Sequence, residues 1–202
     1  MKSPITRIGS LLLGLTLVAA ACSESPESPR LTAPAQTQPR KALDPVATLA
    51  TVGVLTRSVP LASDISVTVP VTKQGGTIQI QEAGITVIFP QNALQPPAKQ
   101  HQVDVTVTAL KGGQVAYTFE PHGLVFRVPV TIKQSLKGTN AFKLANQLSL
   151  EGAYFPSLAD LSTITSTATV SEFQPTSVDV SNAKITFTVD HFSGYLVATG
   201  RR

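Results

Sequence analysis

Apolar and polar residues alternate in four separate runs of this chain, and the alternation limits the folds open to it. Successive side chains of a β-strand point to opposite faces, so a period of two places one face in a core and the other in solvent. The four runs are Ile65-Ser-Val-Thr-Val, Ile78-Gln-Ile-Gln, Val103-Asp-Val-Thr-Val and Ile185-Thr-Phe-Thr-Val. Turn signals such as Gly75-Gly76 and Pro96-Pro97 separate them. The pattern predicts an all-β domain over residues 61–202, an antiparallel β-sandwich or partly open barrel of about 8–10 strands.

No stretch of the chain sustains a helical period. Lys137–Gln147 is the best candidate for a helical turn or an ordered loop.

The first 21 residues have the layout of a cleavable export signal. Lys2 and Arg7 form a short basic segment, an apolar stretch begins at Ile8, and small residues end it at Ala21. A membrane-spanning helix needs about 20 apolar residues to cross the hydrocarbon layer, and this stretch is shorter. Residues 1–21 are therefore predicted to be a signal peptide that directs export and is removed.

Cys22, the sole cysteine of the chain, follows this signal directly. The context resembles the bacterial lipoprotein signal, which implies that the Cys22 thiol receives a diacylglyceryl group and becomes the new N-terminus. The protein would then be exported and anchored to a membrane by lipid, with Ser23 favouring the outer membrane if the organism has two membranes. The alternative is ordinary signal cleavage after Ala21, which would leave Cys22 as a free thiol.

Residues 22–60 are rich in Ser, Pro, Gln, Thr and Ala and contain no aromatic residue. Such a composition cannot bury enough apolar surface to offset the entropy of the chain, so it predicts a disordered or polyproline-like tether. The segment Val46–Leu55 is more apolar than the rest. For this segment the alternative is docking on the β domain as a strand or short helix.

The chain carries 16 basic and 12 acidic side chains, but the basic excess lies mainly outside the β domain. Residues 61–202 hold ten Lys or Arg and nine Asp or Glu, without a basic stripe interleaved with aromatics, so no nucleic acid is expected as a partner. A single cysteine excludes an internal disulfide and a cysteine-based zinc site. Hydrolase, phosphate-loop and calcium-loop motifs are absent from the sequence, so no cofactor, metal or small-molecule substrate is predicted. A calcium site at acid-bearing loops is the open alternative, without a calcium-loop motif to support it.

Residues 74–132 contain a series of elements punctuated by glycine and proline. The series runs Gln74-Gly-Gly-Thr-Ile-Gln-Ile, then Gly84-Ile-Thr-Val-Ile-Phe-Pro-Gln-Asn-Ala-Leu, then Phe119-Glu-Pro-His-Gly-Leu-Val-Phe-Arg-Val-Pro-Val-Thr-Ile. It resembles the ZU-five domain, named for zonula occludens proteins and uncoordinated-five netrin receptors, over about residues 70–200. The resemblance implies a β domain with an unidentified protein partner. Pro129 interrupts the last element and predicts an edge strand or a bulge.

The tripeptide His191-Phe192-Ser193 is similar to the self-cleavage site of some ZU-five domains. The resemblance implies that the Ser193 hydroxyl attacks the Phe192 carbonyl with His191 as general base, giving by an N-to-O acyl shift an ester that water hydrolyses. Asp190 is not expected to orient His191, because adjacent residues on a strand point to opposite faces. The alternative is that the tripeptide opens the last strand, with His191 half exposed, Phe192 in the core and Ser193 satisfying a turn.

Two further histidines carry weaker signals. His122 lies in the predicted turn Glu120-Pro-His-Gly123, where it could be a ligand or a base. Because no second histidine or acid cluster stands beside it in the sequence, capping of backbone carbonyls is favoured. His101 is predicted to be a solvated surface residue.

Together these observations predict a lipid-anchored, non-enzymatic β domain for interaction or envelope structure. The alternative function is a domain that hydrolyses its own Phe192–Ser193 bond.

Overall fold

The structure, a computed structural model, describes residues 49–94, 101–141 and 149–201. The predicted signal peptide, Cys22, most of the tether and the Pro96-Pro97 turn lie outside the described residues. Numbered along the chain, the strands are β1 Ala50–Val54, β2 Thr56–Leu61, β3 Ile65–Thr72, β4 Gly76–Ile80, β5 Ile85–Phe89, β6 Gln102–Ala109, β7 Gly112–Gln114, β8 Ala116–Glu120, β9 Val125–Ser135, β10 Leu150–Phe155, β11 Leu161–Ser162, β12 Thr167–Val170, β13 Glu172–Phe173, β14 Thr176–Asp179, β15 Lys184–His191 and β16 Gly194–Arg201. A single-turn 3₁₀ helix spans Leu158–Asp160.

The strands form two large antiparallel sheets packed face to face, which confirms the predicted all-β fold. The first sheet contains nine strands, with the order β11-β12-β1-β16-β8-β6-β3, and β10 and β13 branch from β16. The second has the order β14-β15-β9-β5-β4, and β2 and β7 form a separate pair. The described residues contain 16 strands, more than the predicted 8–10, and three of them, β7, β11 and β13, are only two or three residues long. The described residues include no helix long and apolar enough to cross a membrane.

The main core lies between the two sheets and is built by the alternation seen in the sequence. On β15, Ile185, Phe187 and Val189 are buried, whereas the threonines between them are partly exposed. Phe187 and Val189 pair in register with Ile132 and Val130 of β9, so neighbouring strands place their apolar residues in common rows.

The strand β16 is buried on both faces. Tyr195 and Val197 contribute to the main core, while Leu196 and Ala198 join a second apolar cluster on the opposite face. This strand pairs with β8, β10 and β1. It is therefore the most enclosed strand of the first sheet, although it ends the described chain.

The predicted tether boundary at residue 60 is wrong, because the folded region already includes β1 and β2. Val52 and Val54 are buried in the second apolar cluster, and Leu55 is buried in the main core. Three apolar side chains within four residues bury enough surface to hold this short segment, an effect that the average composition of residues 22–60 conceals. The alternative of a docked strand within Val46–Leu55 is confirmed for Ala50–Val54.

Pro129 lies at a bulge in β9, which is one of the two alternatives predicted for it. The register with β15 shifts between Val189, which pairs with Val130, and His191, which pairs with Val125. Because β9 lies between β15 and β5, this proline is not on an edge strand. The bulge accommodates a residue that cannot donate a ladder hydrogen bond.

The chain crosses from one sheet to the other at the turn between β3 and β4, the end strands of the two sheets. Gly75 makes the turn with a φ of 89° and donates its N–H to the Thr72 carbonyl at 3.0 Å. The turn lies where the Gly75-Gly76 signal predicted one, and glycine adopts a positive φ without strain. At the other candidate loop, residues 137–141 form turns rather than helix, and 142–148 lie outside the described residues.

Candidate functional site

The predicted self-cleavage tripeptide sits where β15 passes into β16. Phe192 is buried and its ring stacks on Phe119 at 5.6 Å, with edge contacts to Phe126 at 4.7 Å and to Phe89 at 6.0 Å between ring centroids. Its N–H donates to the Leu124 carbonyl at 2.8 Å. The residue on the amino side of the predicted scissile bond is therefore a central member of the core.

His191 makes its contacts away from the predicted nucleophile. Its Nε2 lies 3.7 Å from a carboxylate oxygen of Glu172, and its ring meets Tyr154 edge-on at 5.0 Å. The Tyr195 hydroxyl donates to the His191 carbonyl at 2.8 Å and lies 3.3 Å from its Nδ1. The His191 side chain is 30% exposed. No hydrogen bond between His191 and Ser193 is present among the described residues, so the structure does not connect base and nucleophile.

The Phe192 carbonyl accepts a hydrogen bond from the Gly123 N–H at 3.2 Å. This oxygen would carry the negative charge if a nucleophile attacked the Phe192–Ser193 bond, and a backbone amide is a suitable donor to it. The buried Ser193 accepts at its own carbonyl from the Phe119 N–H at 3.1 Å. The site therefore provides one hydrogen-bond donor for an oxyanion, and backbone hydrogen bonds hold the carbonyls of both Phe192 and Ser193 in place.

The other predicted residues lie apart from this tripeptide or face away from it. Asp190 is exposed on β15, consistent with the expectation that it points away from His191. His122 is exposed in the turn after β8 and makes no hydrogen bond among the described residues, so the predicted carbonyl capping is not observed. His101 is exposed, as predicted. In the described part of the chain, no group of three or more His, Cys, Asp or Glu side chains is placed to hold a metal ion.

A buried polar network joins the two sheets, and the sequence reasoning missed it. The Arg57 guanidinium donates to the Gln114 carbonyl through one terminal nitrogen and to the Tyr117 hydroxyl at 3.4 Å through the other. Tyr117 in turn donates to the Gln134 side-chain oxygen, and Gln134 Nε2 donates to the Ala83 carbonyl at 3.1 Å. The network therefore links β2, β8, β9 and the turn before β5.

One signal for this network was present in the sequence. Gln134 occupies the next position in the inward row of Val130 and Ile132, where an apolar residue would be expected. A polar side chain in such a row needs a buried partner. Arg57 gave no comparable signal, because it fell within the segment read as tether.

Burial raises the pKa of Tyr117 from 10.0 to about 12, with the nearby Arg57 charge acting in the opposite direction. Burial, reinforced by the negative charge of Glu172, also raises the pKa of Tyr195. Both shifts favour the neutral phenol in the folded protein.

The domain is therefore expected to lose stability as the pH rises from 10 to 12. An unfolded tyrosine loses its proton near pH 10, whereas folded Tyr117 keeps it to about pH 12, so the stability contributed by the protonated form is complete below pH 10 and disappears across this window. The shift corresponds to about 3 kcal/mol. Urea unfolding at pH 9 and 11.5 measures the loss, and Tyr117→Phe should reduce it. An unchanged free energy of unfolding across the window would contradict this assignment.

Comparison with known proteins returned no matching family model and no matching curated protein.

Proposed function

We propose that this protein is an exported β-sandwich anchored to a membrane through diacylglyceryl-Cys22, and that it acts through interaction or envelope structure rather than as an enzyme. The observation that carries the proposal is the order of the first 22 residues: a basic start, a short apolar stretch, small residues and then the sole cysteine. Two or more acyl chains anchor a protein stably where a single chain binds only marginally. The ZU-five resemblance supports a protein as the partner.

The place where the folded region begins supports a tethered arrangement. β1 starts at Ala50, so residues 23–48 separate the proposed anchor from the described chain. At ~3.1 Å per residue in polyproline geometry, this segment would reach at most about 80 Å. The proposed tether is therefore shorter than residues 22–60, but it would still hold the sandwich clear of the lipid headgroups.

Replacement of Cys22 by serine is expected to abolish lipid attachment. In cells fed a palmitate analogue, the native chain should incorporate the label and sediment with membranes, whereas Cys22→Ser should do neither. Ser23→Ala is the matched control, because it changes the neighbouring hydroxyl and leaves the thiol in place. Incorporation that survives Cys22→Ser would refute the anchor.

Self-cleavage between Phe192 and Ser193 is the second candidate function, favoured by the Gly123 N–H on the Phe192 carbonyl. In this reaction the Ser193 oxygen would bond to the Phe192 carbonyl carbon, the C–N bond would break to leave a free amine and an ester, and water would hydrolyse the ester. His191 contacts Glu172 and Tyr195 rather than Ser193, so the base that the resemblance implies is not hydrogen-bonded to the nucleophile.

We expect a single uncut mass for the mature protein. The measurement must be made under denaturing conditions, because β16 pairs with three strands and a cleaved fragment would remain bound. Ser193→Ala should give the same result. Two fragments in the native protein that disappear in Ser193→Ala would establish self-cleavage and overturn the non-enzymatic proposal.

A further inference from the structure

An open pocket of about 410 Å³ lies beside the buried polar network, bounded by β2, the turn between β4 and β5, and the segment that follows β9. Arg57 and Gln134 of the network both line it. Polar and apolar residues both line the rest of it, and among the polar ones Ser58, Gln81 and Ser135 carry hydroxyl or amide groups. The pocket therefore combines a buried charge with several neutral hydrogen-bonding groups.

Arg57 lacks a negative partner within the described residues. The residue is only 8% exposed, its two terminal nitrogens donate to neutral acceptors, and its Nε has no hydrogen-bond partner. The ring of Tyr117 lies 5.7 Å from the guanidinium carbon. A buried charge is costly unless an opposite charge compensates it, so this arrangement favours an anion nearby.

The charges that line the pocket indicate how much negative charge it accepts. Arg57 and Lys137 are basic and Glu82 is acidic, which leaves one net positive charge. A monocarboxylate balances that charge, whereas a dianionic phosphate exceeds it. Guanidinium groups bind carboxylates through strong charge-assisted hydrogen bonds.

We infer that this pocket binds a sugar acid, a hydroxylated ligand with one carboxylate. Arg57 and Lys137 attract the carboxylate, and the hydroxyl and amide side chains of Ser58, Gln81 and Ser135 suit the sugar hydroxyls. The inference goes beyond the proposed anchor, since none of these residues belongs to the segment that carries Cys22. A chain with Cys22→Ser should bind the ligand as the native chain does, so failure of the anchor and failure of the pocket are distinguishable.

The test is isothermal titration calorimetry on the purified full chain in detergent, with sodium glucuronate as the probe. Glucuronate should bind saturably, glucose should not bind, and acetate and glucose 6-phosphate should each bind at least about tenfold more weakly. Arg57→Gln and Lys137→Gln should each weaken glucuronate binding about tenfold or more. Lys73→Gln is the matched control: Lys73 is also an exposed lysine, it lies outside the pocket, and its replacement should leave the affinity unchanged.

Several outcomes would overturn the inference. If glucose binds as tightly as glucuronate, the carboxylate does not contribute to binding. If glucose 6-phosphate binds more tightly, the site is a phosphate site. If glucuronate gives no saturable heat, the pocket does not bind it. If Arg57→Gln fails to fold, the exposed Lys137 decides the question, because Lys137→Gln leaves the buried network intact. Unchanged glucuronate affinity in Lys137→Gln would then count against the pocket.

Discussion

Replacement of Gly75 by alanine is expected to lower the free energy of unfolding by about 3 kcal/mol or more. Gly75 has a φ of 89°, and a Cβ added to it would lie 2.1 Å from the Phe89 carbonyl oxygen and 2.9 Å from the Pro90 carbonyl carbon. Both contacts are with backbone, so no side-chain rotation can relieve them. The turn from β3 to β4 would have to open, and with it the corner where the two sheets meet.

Gly112→Ala provides the matched control for this prediction. Gly112 has a nearly identical φ of 93°, but nothing lies within 4 Å of an added Cβ. Its replacement should cost only the conformational strain, about 1 kcal/mol. Urea unfolding of the full chain followed by far-ultraviolet circular dichroism measures both variants. Equal losses would show that the backbone contacts at Gly75 relax freely and that the corner is not rigid.

Phe192→Ala is expected to cost about 3–5 kcal/mol, the range for truncation of a fully buried aromatic side chain. The ring contacts Phe89, Phe119 and Phe126, which come from β5, β8 and β9. Its removal would leave a cavity bounded by both sheets, since β8 belongs to the first sheet and β5 and β9 to the second. Phe192→Leu should recover much of the loss, because it restores most of the apolar volume.

Ile164→Ala is the control for the Phe192 variant. Ile164 is 95% exposed, and its truncation should change the free energy of unfolding by less than about 0.5 kcal/mol. Two-state urea unfolding gives both values on one scale. A Phe192→Ala loss as small as that of Ile164→Ala would mean that Phe192 is not packed in the core as the structure has it.

The strands predicted from the sequence are those whose own residues alternate between apolar and polar, so that no distant part of the chain is needed to recognise them. The alternating runs that begin at Ile65, Val103 and Ile185 lie within β3, β6 and β15, and the run that begins at Ile78 lies within β4 except for its last residue, Gln81. Each run carries its own apolar face, so a window of five residues is enough to recognise it. The prediction for Pro129 also depended on that residue alone, because its missing N–H restricts proline to a bulge or an edge strand wherever it occurs in a sheet.

The strands β1 and β2 were missed because their stability depends on distant parts of the chain. β1 pairs with β12 and β16, and β2 pairs with β7, all far away in sequence. Nothing in the composition of residues 22–60 reports such partners. Arg57 was lost with them, and the network and pocket that depend on it could not be assembled from the sequence.

For the tripeptide, the sequence identified the residues but not their partners. Phe192 in the core and His191 partly exposed agree with the non-catalytic alternative, but His191 ends β15 and β16 begins at Gly194, so the tripeptide links the last two strands rather than opening the last one. The pairing of His191 with Glu172 joins β15 of one sheet to β13 of the other, which no spacing along the chain could indicate. Chemistry at this position therefore depends on distances that only the packing of the two sheets determines.

The pairing of the first strand with the last has a consequence for how the domain folds. Val52 and Val54 of β1 pair with Arg201 and Ala198 of β16, so the contact joins the two ends of the described chain. Contacts between residues so far apart raise the contact order and slow folding, because a long loop must close before the pair can form. Because β16 lies at the centre of the first sheet and is the last described strand, the first sheet cannot be completed before β16 has been synthesised.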